Sequence, residues 1–400
     1  MAYAAHNCGI GLFIVLLGAV GIMAEQSIMM LTEGMRHAKV HTFPALGLAA
    51  AGPLGEYAVV LAVIVQQLGA DIAYVQIVGT IIAPLVSKIN GGEGILADPR
   101  FWQVMVASCI MLPLCMLPRI NSLRYSSIAS VILILLFNVV VVLDGGFQIG
   151  QGWDSAKSTP QRPHGVHWSD MHFGPASAED VLLALPILAF AQVCQMNVFP
   201  VVSELTDPSP ARISTISKGS IGLTWVVYVL AGVFGYLAFG NDVQSNIIQS
   251  YEDMQEGRAG GTPQLLVPRL LVQIMQFAIG LALTFAYPVV TYELRHSAEF
   301  LLAKHAPFNW WRHSALNVAI VAVSTTVAIL VPQITKVFGF TGATTSCFVV
   351  FILPAAFFLK VAPGAVADVW RKKSALVVLA TGCILVPACL AVQILKAVRG

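Results

Sequence analysis

The stretch Leu185–Leu205, LPILAFAQVCQMNVFPVVSEL, combines two prolines and a polar centre within a run long enough to cross a bilayer. Four polar residues stand between Pro186 and Pro200: Gln192, Cys194, Gln195 and Asn197. Proline has no backbone donor, so carbonyls on the preceding turn lose their partners. Broken membrane helices of this kind surround substrate and ion sites in secondary transporters. The stretch therefore predicts such a site or, alternatively, a kinked helix whose amides bond to neighbouring helices.

The composition indicates that lipid is the main solvent of this chain. Its 400 residues are 57% hydrophobic and 10% charged, and the mean hydropathy is +0.79. A soluble domain has about 25% charged residues because its surface faces water. The net charge is +2, and the basic residues are scattered and form no long run, which argues against a nucleic-acid partner.

Apolar stretches of about 20 residues, the length that crosses a bilayer, recur along the whole chain. The predicted spans are residues 9–31, 55–82, 102–117, 126–143, 181–202, 220–239, 265–290, 315–331, 346–361 and 374–395. Two loops are longer than the rest, 144–180 and 240–264, and both are polar. The pattern predicts an all-α, polytopic membrane helix bundle of about ten transmembrane helices, with no soluble second domain.

The distribution of basic residues predicts the orientation of the bundle. Of the 22 Lys and Arg residues, thirteen fall on one side of the predicted bundle and nine on the other. Cytoplasmic loops carry the excess of basic residues, so the side with thirteen, which includes Lys218, is predicted to be cytoplasmic. The same alternation places Met1 outside, with no helix before it and no cleavable signal peptide.

Polar residues inside the other spans are candidates for function because each is costly in lipid. Asp71, one turn before Tyr74, predicts a carboxylate that faces a cavity, pairs with a cation or takes up a proton. The alternatives are a position nearer the interface or a structural pair. Thr284, one turn before Pro288, predicts either an ion ligand or a hydroxyl that bonds back to its own helix. Small residues around Gly342 predict close packing of helices.

Other classes of membrane protein find little support. The sequence has no CxxC and no metal-ligand spacing, and its histidines fall in loops or at helix ends, so neither an enzyme nor a metal site is predicted. A channel would need a repeated filter or a ring of charges, and the sequence has neither. A transporter remains the class that the polar, proline-flanked span favours.

Several strings carry a resemblance to a known family. They are AHNCGIGLF (5–13), LPLCMLPRINSLRYSSIAS (112–130), ISKGSIGLTWVVYVLAGVFGYLAFG (216–240), SNIIQSY (245–251) and GATTSCFVVFILPAAFFLK (342–360), together with LPILAF and FPVVSEL in the opening stretch. In combination these strings resemble the amino acid/auxin permease family, which includes the sodium-coupled neutral amino acid transporters. The resemblance covers nearly the whole chain.

The resemblance implies a LeuT-like fold of eleven helices in two inverted five-helix repeats, with the first and sixth helices broken. The ten predicted spans then correspond to helices two to eleven, and the first helix is expected to be absent. Residues 1–180 would hold the remainder of the first repeat and an outer loop, 181–362 the second repeat, and 363–400 the final helix. Gln195-Met196 stands where family members often have His-Pro, which leaves substrate choice and pH response open.

The function that the resemblance implies is secondary active transport of an amino acid by alternating access. Its ammonium would be held near Gln192, Cys194, Gln195 and Asn197, with Asp71 and Tyr74 as further substrate-binding candidates. The coupling ion would be sodium, with Thr284 as its ligand, or a proton, with Asp71 as its carrier; no cofactor is expected. The membrane would be the plasma membrane or an endolysosomal or vacuolar one. Alternatives are an amino acid-sensing transceptor and a truncated, non-transporting fragment.

Overall fold

The computed structural model describes residues 1–89, 94–117, 124–150, 171–175, 177–255, 269–304, 306–362 and 369–399, and their regular structure is helical throughout. The principal helices are α1 (Ala2–Cys8), α2 (Ile10–Ala38), α3 (Phe43–Ile89), α4 (Pro99–Cys115), α5 (Arg124–Gly150), α6 (Ala178–Ala191), α7 (Gln195–Glu204), α8 (Pro210–Phe239), α9 (Ile247–Gln255), α10 (Arg269–Ala303), α11 (Trp310–Leu330), α12 (Ile334–Val361) and α13 (Val369–Arg399).

The number of membrane spans agrees with the sequence prediction. Within the described ranges, nine helical stretches are long and apolar enough to cross a membrane, with α6 and α7 forming one of them. The apolar helix α4 is shorter and accounts for the tenth predicted span. The predicted all-α, polytopic bundle is therefore confirmed.

The helices are longer than the apolar stretches that predicted them. Span 265–290 corresponds to α10, which continues to Ala303, and span 55–82 corresponds to α3, which begins at Phe43. Span 346–361 corresponds to α12, which begins at Ile334. The part of α10 after residue 290 contains the polar residues Glu293 and Arg295, whereas the added parts of α3 and α12 are largely apolar and belong to the candidate spans Phe43–Ser87 and Ile334–Val361. The predicted centres are right and the predicted ends are too short.

Helix α3 contains a sharp bend near its start. Ala51 (φ −135°, ψ 18°) and Gly52 (φ 66°, ψ −157°) leave the helical conformation, and only glycine adopts such a positive φ readily. On either side of the bend, Gly47 and Gly55 bring their backbones together, since a Cβ at Gly47 would lie 2.5 Å from the Gly55 carbonyl oxygen. The absence of both side chains is what allows the two arms of α3 to touch.

The chain divides into two compact units that alternate along the sequence. The first unit comprises Met1–Gly11, Gln67–Ala176 and Val227–Val337, and the second comprises Leu12–Gln66, Ser177–Val226 and Phe338–Gly400. These units are groups of residues in contact and not sequence repeats. The predicted repeat boundaries at residues 180 and 362 therefore stay a prediction.

The first unit packs α4, α10 and α11 around buried aliphatic and aromatic side chains such as Met111, Tyr287 and Val321. The short helix α1 also belongs to this unit and is anchored at Gly9, whose φ is +75°. A Cβ at Gly9 would lie 2.6 Å from backbone atoms of Gly174, so the position accepts only glycine. These contacts hold the start of the described chain firmly within the first unit.

The second unit has a core in which Phe43 stacks on Phe199, with ring centroids 5.5 Å apart. Leu31 and Leu353 are buried in the same cluster. In α12 this unit also contains two π-helical turns, Gly342–Ser346 and Phe348–Ile352. A π-turn contains an extra residue and often marks a functional position in a helix.

Candidate functional site

The helix predicted over residues 181–202 is broken in the second unit. Helix α6 ends at Ala191, Gln192 (φ −100°, ψ 7°) and Cys194 (φ −138°, ψ 0°) leave the helical conformation, and α7 begins at Gln195. Neither proline causes the break, because Pro186 lies inside α6 and Pro200 inside α7. The polar cluster itself interrupts the helix: the side-chain Oε1 of Gln195 accepts a hydrogen bond from the Cys194 N–H at 3.0 Å.

The two glutamines at the break are buried and have unused donors. Gln192 is 3% exposed and Gln195 is fully buried, and within the described part of the chain the Nε2 atom of each has no hydrogen-bond partner. Nε2 of Gln192 faces Gly21 on α2. A Cβ added to Gly21 would lie 3.7 Å from this nitrogen. A buried amide donor without a partner costs about 1–3 kcal/mol, so these two atoms indicate a site for an acceptor.

The other two predicted residues of this cluster lie differently. Cys194 is a half-buried free thiol in the unwound segment. Asn197 lies in the first turn of α7 with its side chain exposed, and its backbone N–H donates to the Cys194 carbonyl at 3.0 Å. The structure therefore brings Gln192, Cys194 and Gln195 together at the break and leaves the Asn197 side chain outside it.

The broken helix presents two opposite partial charges at the same place. At the end of α6 the Gln192 and Val193 N–H groups donate to the Ala189 and Phe190 carbonyls, and in the first turn of α7 the Asn197 N–H donates to the Cys194 carbonyl. The carbonyl end of a helix carries a partial negative charge and the N–H end a partial positive one. The unwound segment between Ala191 and Gln195 can thus receive a molecule that bears both an ammonium and a carboxylate group.

Contacts with α12 position α6 within the second unit. A Cβ at Gly342 would lie 2.6 Å from the Pro186 carbonyl carbon, so the two backbones are in direct contact. In the same π-turn, the hydroxyls of Thr345 and Ser346 donate to Oε1 of Gln66 at 2.9 and 2.8 Å. The predicted close packing around Gly342 is therefore present, and it fixes α6 six residues before the break.

The remaining predicted site residues lie in the first unit. Asp71 is fully buried, and its Oδ2 accepts a hydrogen bond from the Thr291 hydroxyl at 3.1 Å. Its Oδ1 has no partner among the described residues. Tyr74, one turn further along α3, is half-buried beside the core of the first unit. The depth of Asp71 in the membrane stays a prediction, and one carboxylate oxygen is available among the described residues.

Thr284 has a local partner. Its hydroxyl donates to the Gly280 carbonyl at 2.7 Å, one turn earlier on α10. This is the back-bond that a threonine inside a helix commonly makes. The geometry matches the structural alternative for Thr284, while the lone pairs of its oxygen still allow the predicted sodium contact.

Sequence reasoning missed a group of buried polar residues around the end of α4. Nη1 of Arg295, a side chain that is 5% exposed, donates to the Cys115 carbonyl at 3.2 Å and to Oδ1 of Asn317 at 3.3 Å. Thr291 lies one turn before Arg295 on α10. The predicted span ended at residue 290, so both residues were assigned to a loop. Their spacing of four residues was the available signal that the helix continues.

Metal chemistry has no support in the described part of the chain. No group of three or more His, Cys, Asp or Glu side chains is arranged there to hold a metal ion. The seven cysteines all lie within the described residues, and none of them forms a disulfide.

Comparisons with known proteins agree with this architecture. A sequence model of the family described as "Transmembrane amino acid transporter protein" matches residues 1–395. The structure is similar to a crystal structure of MhsT in complex with L-phenylalanine, with a TM-score of 0.60 and 14% sequence identity. The similarity covers 98% of this chain and 91% of that one, which confirms the predicted LeuT-like fold.

Proposed function

Because the chain belongs to the transmembrane amino acid transporter family, we propose that it moves an amino acid across the membrane by alternating access and that protons drive it. The observation that carries this proposal is the break between α6 and α7, where two buried glutamine amides have donors that no described residue accepts. Broken helices at the centre of a membrane bundle are the usual binding elements of secondary transporters.

The polarity of the break supports a specific orientation of the substrate. The α-carboxylate lies at the start of α7, where Nε2 of Gln195 and the first N–H groups of the helix donate to it. The ammonium lies at the end of α6, where the partial negative charge of the helix attracts it. The Nε2 atom of Gln192 supplies a further donor to the carboxylate, so the site selects a zwitterion over a simple cation or anion.

Uptake by the purified chain in proteoliposomes tests the substrate site. Gln192→Leu removes one donor at nearly constant volume, and Gln195→Glu keeps an oxygen for the Cys194 N–H but replaces the donor by an acceptor. A hydrogen bond to a charged group is worth about 1.5–3 kcal/mol, so we expect the apparent affinity to fall by roughly 10–100-fold. Asn197→Ala, on the exposed side of α7, is the matched control.

Two results would contradict the assignment of the break as the substrate site. One is unchanged apparent affinity in Gln192→Leu and Gln195→Glu while Asn197→Ala is impaired. The other is an equal loss in all three variants together with lowered melting temperatures, which would indicate a structural effect. A panel of labelled amino acids that differ in side-chain size and charge, tested on the unmodified chain, identifies the preferred cargo.

The coupling ion is assigned from the two candidates in the first unit. Asp71 is fully buried and has one carboxylate oxygen without a partner among the described residues, and carboxylates buried in membrane helices act as proton carriers in transporters. Thr284 uses its hydroxyl within its own helix. Donation of the hydroxyl proton leaves the lone pairs of the Thr284 oxygen able to ligate a cation, so the proposal of a proton as the driving ion rests on Asp71.

Gradient experiments test proton coupling directly. In the unmodified chain, a proton gradient should accelerate uptake, and replacing sodium by choline should leave the rate unchanged. Asp71→Asn should abolish the dependence on the proton gradient while exchange of labelled for unlabelled substrate continues. Asp98→Asn, at the exposed start of α4, is the control. Uptake that requires sodium and is lost in Thr284→Val would refute this assignment.

A further inference from the structure

A cavity of about 440 Å³ lies between α2 and α8, entirely within the second unit. Glycines form much of its wall, with Gly18 and Gly21 on α2 and Gly222 on α8. The two helices run antiparallel here, because Gly18 faces Trp225 while Gly21 faces Ile221. A Cβ at Gly222 would have no heavy atom within 4 Å, whereas one at Gly21 would lie 3.3 Å from Cγ2 of Ile221, so the helices are close at Gly18 and Gly21 and the open space lies beside Gly222.

One end of the cavity is apolar. A Cβ at Gly18 would lie 3.3 Å from Nε1 of Trp225, and that indole N–H donates to the Ile14 carbonyl at 3.5 Å. Ile22, beside the glycines, is 66% exposed although it belongs to a membrane span. An exposed aliphatic side chain in a membrane span faces lipid tails, so the apolar end is accessible to a hydrocarbon chain from the bilayer.

The other end of the cavity carries one charge of each sign. Glu25 on α2 is 7% exposed, and its Oε2 accepts from Nε2 of Gln26 at 2.7 Å. Lys218 on α8 is exposed and lines the same cavity. A carboxylate buried within a membrane span is costly without a nearby cation, whereas the flexible stem of lysine lets its ammonium reach the headgroup region.

We propose that this cavity binds one phospholipid with a primary-ammonium headgroup, such as phosphatidylethanolamine. The headgroup ammonium donates to Glu25, the phosphate accepts from Lys218, and one acyl chain lies along the glycine wall towards Trp225. A sterol has no charges to match this pair, and a free amino acid has no chain to fill the apolar end. Lys218 lies on the predicted cytoplasmic side, so the lipid comes from the cytoplasmic leaflet.

Native mass spectrometry and thermal unfolding of the purified full chain in nanodiscs test the proposal. Discs contain phosphatidylcholine alone or with phosphatidylethanolamine, phosphatidylglycerol or a sterol. We expect one retained phosphatidylethanolamine per chain and a higher melting temperature in that lipid, because a ligand that binds only the folded state stabilises it. Phosphatidylcholine has the phosphate, but its quaternary ammonium cannot donate to Glu25, so its retention should be roughly tenfold lower.

Variants separate the two halves of the headgroup. Glu25→Gln should remove the preference for phosphatidylethanolamine over phosphatidylcholine, and Lys218→Gln should weaken the retention of both lipids. Glu33→Gln, a second carboxylate on α2 that bonds to Arg371, should preserve the preference and is the matched control. Since Lys218 is exposed, its replacement keeps the test valid even if Glu25→Gln unfolds.

Three outcomes would overturn the proposal. They are equal retention of all four lipids, preferential retention of phosphatidylglycerol or a sterol, and displacement of the bound lipid by millimolar free amino acid. Lipid retention is measured without substrate or gradients. A failure here is therefore distinguishable from a failure of the proposed transport function.

Discussion

An alanine at position 342 should destabilise the second unit and weaken transport, although it adds only one methyl group. An ideal Cβ at Gly342 would stand 2.6 Å from the Pro186 carbonyl carbon and 2.9 Å from its Cβ, with the carbonyl oxygen closer still. Real Cβ atoms essentially never approach other heavy atoms within 3.0 Å. Because backbone atoms and a rigid ring form this contact, no side-chain rotation can relieve it.

The magnitude follows from the distance that the helices must move. Carbon atoms in ordinary contact are about 3.5–4.0 Å apart, so α6 and α12 would have to separate by about 1 Å. An extra methyl group in a close-packed interior lowers the free energy of unfolding by about 1–3 kcal/mol. Because the contact at Gly342 is with rigid backbone, we expect Gly342→Ala to lose about 3 kcal/mol. The shift would also reach the break that begins six residues after Pro186, so substrate affinity should fall as well.

Thermal unfolding in nanodiscs and amino acid uptake measure the two effects. Gly219→Ala on α8 is the control, because a Cβ there would have no heavy atom within 4 Å. Alanine in a helix interior is more favourable than glycine by roughly 0.5–1 kcal/mol, so this variant should raise the melting temperature. The reasoning is refuted if both variants shift the melting temperature in the same direction by a similar amount.

Three further substitutions probe other contacts by the same unfolding measurement. Gln66→Leu removes the oxygen that accepts from the two hydroxyls in the π-turn of α12, so the free energy of unfolding should fall by about 1–3 kcal/mol. An unchanged melting temperature would mean that water takes the place of this acceptor. Tyr287→Phe removes the 2.8 Å hydrogen bond to the Ser324 hydroxyl, so the free energy of unfolding should fall by about 1 kcal/mol. A higher melting temperature in this variant would contradict that bond. Gly9→Ala forces a side chain towards Gly174 at a positive φ and should be the most damaging, so that a well-folded variant would contradict the geometry.

Hydropathy predicted the membrane architecture because the cost of polar groups in lipid affects every residue of a span. The predicted centres of the spans agree with the helices, whereas the ends do not. Helix α10 continues through Thr291 and Arg295, which are buried against other polar groups and not against lipid. A hydropathy scale measures transfer from water into lipid, so it cannot distinguish a polar residue buried inside the helix bundle from a polar residue in a loop.

The break in the proline-flanked span was predicted for a reason that proved wrong. Pro186 and Pro200 both lie inside helices, and the backbone leaves the helix at Gln192 and Cys194. The carboxamide of Gln195 bonds to the Cys194 N–H and so supports the unwound conformation. Residue types alone cannot specify which of several polar side chains will face inward, and the exposed Asn197 shows this.

The assignment of roles within the first unit was only partly accessible from sequence. The rarity of a carboxylate inside a span pointed to Asp71, and its burial agrees with that reasoning. Its partner Thr291 is 220 positions away along the chain, and such distant pairings depend on tertiary packing. The expectation of an absent first helix, like the repeat boundaries, stays a prediction.

The bend at Gly52 has a consequence for how the chain is made. The cellular insertion machinery recognises hydropathy, and residues Phe43–Ser87 form one candidate membrane span of 45 residues. The arm before the bend, residues 43–50, is about 12 Å long as a helix, far short of the roughly 30 Å hydrocarbon core. That arm should therefore leave the ribosome before the segment that will hold it. Gly47 cannot contact Gly55 until residue 55 has emerged, so this corner of the protein should close only after the bend itself has been synthesised.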